Sequence, residues 1–170
     1  MSDSLTTEPA QVDDDNPFDS PAPGGAFPAL DQLRDRLCIF EPQGPAQMVA
    51  DRFNPGTMKP RLTCNITFLD GETITEKIDK EGDATPLPEP IEAGKVMAGM
   101  FISQTKMVSQ LRGRRMVLGR VVKLPKIPGS TNNRAWGITD IPALAREGNA
   151  QAKADLQLAK EFIAGRDPFA

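Results

Sequence analysis

Six basic side chains fall within sixteen residues of this chain with no acid among them: Arg112, Arg114, Arg115, Arg120, Lys123 and Lys126, in the run LRGRRMVLGRVVKLPK. Guanidinium groups clamp phosphate oxygens in a bidentate fork, so the chemistry offered is anion binding along a groove. The same residues also suit the solvated face of an edge strand, where Lys and Arg discourage pairing between sheets. The absence of any compensating acid favours the groove. Arg134 and Trp136 follow in NNRAWGITD, and Phe53 sits beside Arg52 in a Pro/Gly-rich stretch. Single-strand binders stack bases on aromatics beside a basic groove, at about 1–3 kcal/mol per base. Of the set Phe40, Phe53, Phe68, Phe101 and Trp136, Phe40 and Phe68 are expected in the core, and Phe53 and Trp136 are the stacking candidates.

Other chemistry is poorly supplied. The chain has no histidine, which removes Ser-His-Asp and Cys-His catalysis and most zinc sites. No phosphate-loop, dinucleotide or nucleophile-elbow motif occurs. Catalytic residues, metal ligands and cofactors are therefore all expected to be none, and the chain reads as a binding protein, not an enzyme. Cys38 and Cys64 lie far apart without a CxxC spacing and read as reduced thiols. No apolar run approaches the ~20 residues of a membrane span, and no secretory leader is read. A cytoplasmic protein without a membrane partner is expected.

The elements that must position these residues follow from patterning. Residues 1–31 hold seven acids and no base, whereas the remainder carries a formal charge of +4. Residues 1–29 are rich in Asp, Pro, Ser, Gly and Thr, too poor in aliphatics to offset their ordering entropy, and are expected to be a disordered acidic tail. Residues 30–165 are expected to form one domain, with 166–170 a C-terminal tail. A first strand is expected over Leu33 to Phe40, then a long loop over 42–60 with one helical turn near Ala46 to Arg52. Leu62, Cys64, Ile66 and Phe68 alternate with polar residues in the clearest strand, Arg61 to Leu69. Asp70-Gly71 predicts a hairpin into Thr73 to Ile78, and 80–94 reads as a second loop. Lys95 to Leu111 reads as a strand and then a short helix ending at Gly113. Strands follow at Arg115 to Leu124 and Arg134 to Thr139, separated by a loop. Asp140 is placed to cap a helix from Pro142 to Ala164, broken at Gly148-Asn149 and ended by Gly165. About five short strands with a helix before the fourth predict a mainly β (α+β) fold, an OB-like small five-stranded barrel with a C-terminal helix. A generic α+β sandwich is the alternative.

Several segments, taken in order, resemble a known family. They are LCIFEP (Leu37 to Pro42), CNITFLDG (Cys64 to Gly71), MFISQTKMVSQLRGRRMVLGRV (Met100 to Val121) and RAWGITD (Arg134 to Asp140). Their order and spacing over residues 30–165 resemble the single-stranded DNA-binding proteins of tailed actinobacterial phages. The final helix departs from that pattern, opening DIPALAREG where the family tends to Asp-Pro-Thr. The resemblance implies an OB-like fold that binds single-stranded DNA in phage replication or recombination, without chemistry, in the host cytoplasm. The acidic run DDDNPFD (Asp13, Asp14, Asp15, Phe18) is similar to the acidic Pro-Phe tip of bacterial single-strand binders, which recruits replication partners. Here the run is internal and lacks a terminal carboxylate, so a solubilising tail is the plainer reading. Two rival functions stay open: a virion structural or assembly accessory protein, and a host-directed inhibitor acting through the acidic tail. Self-association also stays open.

Overall fold

The alternation of apolar and polar residues from 62 to 68 makes that segment a strand with one buried face, and it becomes the centre of the sheet. A computed structural model describes residues 27–51, 54–79, 81–124 and 135–166. The central strand, β3 (Met58–Phe68), is flanked by β1 (Leu37–Pro42) and β6 (Val96–Ile102), with β2 (Gln47–Ala50) on its N-terminal end. On its other edge β1 pairs β7 (Val117–Lys123), which pairs β8 (Trp136–Ile138). All these pairings are antiparallel, and the sheet is open: its path runs β6–β3–β1–β7–β8 without closing. A separate ribbon is formed by β4 (Ile74–Ile78) and β5 (Ala84–Ile91). Helix α1 (Thr105–Leu111) lies between β6 and β7, and α2 (Ile141–Arg146) and α3 (Ala150–Ala164) follow β8. The fold is thus mainly β with a few helices. No helix among the described residues is long and apolar enough to cross a membrane.

The core lies on the inward face. Leu62, Cys64, Ile66 and Phe68 of β3 meet Cys38 and Phe40 of β1, Met97 and Ile102 of β6, and Met107, Val108 and Leu111 of α1. The outward face of β1 is covered too, since Leu37 packs with Ile141, Ala145 and Ala152 of the C-terminal helices. Asp140 caps the C-terminal helix as expected, accepting the Ala143 N–H, although α2 opens at Ile141, one residue before Pro142; the chain breaks at Gly148-Asn149, where Asn149 caps α3 by accepting from Ala152, and Gly165 ends it. Gly119 is required by close packing, because a Cβ there would lie 2.2 Å from the Thr139 carbonyl on the crossing chain.

Five expectations are corrected. The first strand starts at Leu37, not Leu33, because Leu30–Leu33 form a 3-10 turn and Asp35 takes φ +64°. Residues 42–60 are not a long loop. β1 and β2 pair β3 in registers offset by two residues, so they form one long ribbon with an irregularity at 43–46. Asp70-Gly71 is not a hairpin turn between β3 and its successor, since β4 pairs β5 instead. Residues 80–94 are not a loop but contain β5, whose Pro86, Pro88 and Pro90 fall at every second position. Such spacing sends all three missing N–H donors to one edge, which an edge strand tolerates. The described strands number eight, not five.

Of the expected tail over 1–29, residues 1–26 lie outside the described residues, and Phe27 packs against the core. Arg166, expected in the C-terminal tail, forms a two-pronged ion pair with Glu41 at 3.0 and 3.2 Å. Both cysteines are free and fully buried.

Candidate nucleic-acid interface

With the even residues of β3 turned inward, Arg61, Thr63 and Asn65 face outward. On β6 the matching outward positions carry Phe101 and Gly99. Thr63 and Phe101 are register partners, and the Arg61 guanidinium lies over the Phe101 ring, 4.2 Å from its centroid. Phe101 is 60% exposed, the one aromatic among the exposed large apolar side chains of the described residues. Asn65 accepts the Gly99 N–H at 3.0 Å, fixing β6 where its register against β3 shifts. An exposed ring backed by a guanidinium is a flat, cationic stacking surface. Phe101 was legible as one aromatic of five, but its exposure was not. Arg61 was missed because it stands alone in sequence; the strict alternation of β3 was the signal that put it on the solvent face.

The basic cluster is split by the fold. Arg112 directly follows α1, and Arg114 and Arg115 lie in the turn before β7; all three are exposed. None of them forms an ion pair with a described residue. Arg114 and Arg115 precede the strand rather than open it. Lys123 ends β7 with its ammonium 4.9 Å from the centroid of Trp136, its register partner. Trp136 is half-buried and packs against the core. Phe53, Lys126 and Arg134 lie outside the described residues, as do Asp13, Asp14, Asp15 and Phe18.

Arg120 is engaged elsewhere. Its guanidinium donates to both Asp155 oxygens at 2.8 and 3.1 Å, to Asp70 at 2.9 Å and to the Asp35 carbonyl at 2.7 Å. Burial works against the charge, but the hydrogen bonds to Asp155 and Asp70 outweigh it and raise the pKa above arginine's usual value. The side chain ties β7 to α3 and to the segment after β3. A stretch free of acids in sequence is therefore not free of acids in space.

A cleft joins Arg112 and Arg114 to the irregular part of the long ribbon, around Pro42, Pro45, Met48 and Pro60. The interface thus offers an exposed cationic stacking pair, and separately a cluster of arginines that form no ion pair among the described residues, beside an apolar cleft. Both suit a flexible polyanion with exposed rings. Compared with known protein families, curated proteins and solved structures, the chain matches none.

Proposed function

We propose that this protein binds single-stranded DNA without sequence-specific readout and without catalysis. The observation that carries the reading is the Arg61–Phe101 pair on the open face of β3 and β6. Duplex DNA hides its base faces, whereas a single strand can lay a base on an exposed ring. Arg112, Arg114 and Arg115 would hold phosphates, and Lys123 beside Trp136 extends the basic character along β7. The strand order supports a finer reading of the fold as OB-like. Strands β1, β3, β6, β7 and β8 form the main sheet, with α1 before the fourth of them, while β2 and the β4–β5 ribbon elaborate the connections. In OB folds the face of the second and third strands binds oligonucleotides, and here those strands are β3 and β6. A role in phage replication or recombination is in keeping with the family resemblance.

The test is fluorescence anisotropy with labelled oligothymidylate and a duplex of equal length over a salt series. Tighter binding to the single strand is expected, with a log–log salt slope near −0.7 per phosphate neutralised. Phe101→Ala should weaken single-strand binding by roughly 5- to 160-fold, corresponding to about 1–3 kcal/mol for one stacked base. Its melting temperature should hold, because the ring is exposed. Equal affinity for duplex, or a flat salt response, would overturn the proposal and favour a virion accessory role.

A further inference from the structure

Most free strand edges among the described residues are guarded. The β8 edge is occupied by the Gln110 side-chain amide, which accepts from the Ile138 N–H at 2.9 Å and donates to the Ile138 carbonyl at 2.8 Å. Gln32 holds the β4 edge in the same way, through the Glu76 carbonyl and the Ile78 N–H. On β5, Pro86, Pro88 and Pro90 strip the outer edge of donors, and Pro60 does so where β3 runs past β6. β2 is four residues long and runs into Asp51. β6 has no such protection: its seven residues, VMAGMFI, contain no charge and no proline. A bare edge of this kind is a template for another strand.

The backbone of β6 is turned to use that edge. Thr63 accepts from the Gln43 N–H on the β1 side of β3, and Phe68 accepts from Gly94 on the β6 side. Backbone groups alternate in direction along a strand, so Leu62 and Cys64 turn theirs toward β6, where they meet Ile102 and Met100. Phe101 lies between those two, and its N–H and C=O face the free edge. No described residue bonds either group.

We propose that β6 pairs with β6 of a second copy of this chain, antiparallel about a two-fold axis at Phe101, joining the two sheets into one. In that register Phe101 exchanges both backbone bonds with its counterpart, as the hydrogen-bonded pair of an antiparallel ladder requires. Met100 falls opposite the second copy's Ile102, so inward residues meet inward residues. A two-fold contact sets like residues near the axis, where like charges would repel, and β6 brings none. The Phe101 rings become cross-strand neighbours on the outward face, with each Arg61 one strand further from the axis. The two Arg61–Phe101 pairs then lie on one continuous surface. The contact is short, because Gln104 already caps α1, so a weak, concentration-dependent dimer is expected.

The test is sedimentation of the full chain without DNA, from low micromolar to sub-millimolar concentration. A reversible monomer–dimer equilibrium is expected. Phe101→Lys sets two ammonium groups opposite each other and should weaken the dimer by roughly tenfold or more. Phe101→Ile, uncharged and suited to a strand, should keep it within a few-fold. Phe101→Cys reads the register. Cα atoms of a hydrogen-bonded antiparallel pair stand about 5.5 Å apart, within disulfide reach. Oxidation should therefore link two chains far faster than in Thr85→Cys on the exposed ribbon. Cys38 and Cys64 are fully buried and stay out of the reaction. Should Phe101→Lys melt early, the cross-linking arm decides alone. A chain that stays monomeric throughout, a dimer indifferent to a folded Phe101→Lys variant, or cross-linking no faster than at Thr85 would each overturn the proposal. A monomer that binds oligothymidylate would sink the dimer alone, and a dimer that ignores it would sink the single-strand reading alone.

Discussion

Arg120 shows how one side chain can look like a binding residue and serve as a clamp. Asp155 is 3% exposed, and its carboxylate is held by Arg120 and by Gln151 at 2.8 Å. Asp70 is much more exposed, so the Asp155 contact carries most of the effect. Arg120→Ala leaves a buried carboxylate unpaired and should destabilise by about 3–5 kcal/mol. Arg120→Met with Asp155→Leu should recover much of that loss, since the unpaired charge goes with the pair. Urea unfolding of the two variants decides it; a single variant as stable as the parent would show that the clamp is dispensable. The thiols give a second prediction. Burial pushes both Cys38 and Cys64 up to about 12 from an ordinary 9.0. A pKa raised in the fold means that stability is fully present below pH 9 and is lost as pH rises towards 12. The melting temperature should therefore decline above pH 9, and a thiol reagent at pH 8 should label neither cysteine until the protein is denatured. Rapid labelling of the native protein would refute the burial argument.

At the scale of elements, a paired test separates surface electrostatics from packing. Arg114 and Arg115 are exposed in the turn between α1 and β7, so Arg114→Ala with Arg115→Ala should leave melting unchanged. The same double substitution should weaken single-strand binding several-fold and flatten the salt slope. Phe68 is fully buried on β3, and Phe68→Ala should cost about 3–5 kcal/mol, enough to unfold much of a small domain. Early melting of the arginine variant would make that turn a structural piece. Which elements the sequence disclosed follows the same division between local and distant causes. β3 was legible from residue 61 onward because its period-two pattern is local, and so were the cap at Asp140 and the break at Gly148-Asn149, whereas the cap that Asn149 makes on α3 was not read. β2 and β5 were hidden behind prolines and glycines that read as loop, because only their distant partners reveal them as ribbon and edge. Asp70 illustrates the cost of local reading. Its turn chemistry is real, but its carboxylate is spent on the Leu37 N–H and on Arg120, and the chain then leads to a separate ribbon. That ribbon is tied back by Gln32, whose side chain accepts from Ile78 and donates to Glu76. The candidate site was half legible: the arginine cluster stood out in sequence, whereas the Arg61–Phe101 pair exists only through the register of two strands.

Across the whole molecule the charge is divided. Residues 1–26 carry six acids and no base, while everything from residue 32 onward carries a formal +4. If the single-strand reading holds, an acidic segment tethered to a basic surface should compete with DNA for its arginines, and salt should screen that competition. Deleting residues 1–26 should therefore strengthen single-strand binding at low salt, with the gain shrinking as ionic strength rises. The cut must stop there. Phe27 packs against the core and Pro28 is buried, so removing 1–29 takes apolar contacts with it. Burying a side chain such as Phe is worth about 1.5–3 kcal/mol when complete, and Phe27 is only partly buried, so a loss at or below the lower end is expected. The two truncations should then bind DNA alike at low salt but melt apart, the shorter chain earlier by a few degrees. Equal melting would mean that Phe27 adds nothing to the core. A truncation at 26 that leaves affinity unchanged at every salt concentration would show that the acidic segment does not act as a competitor.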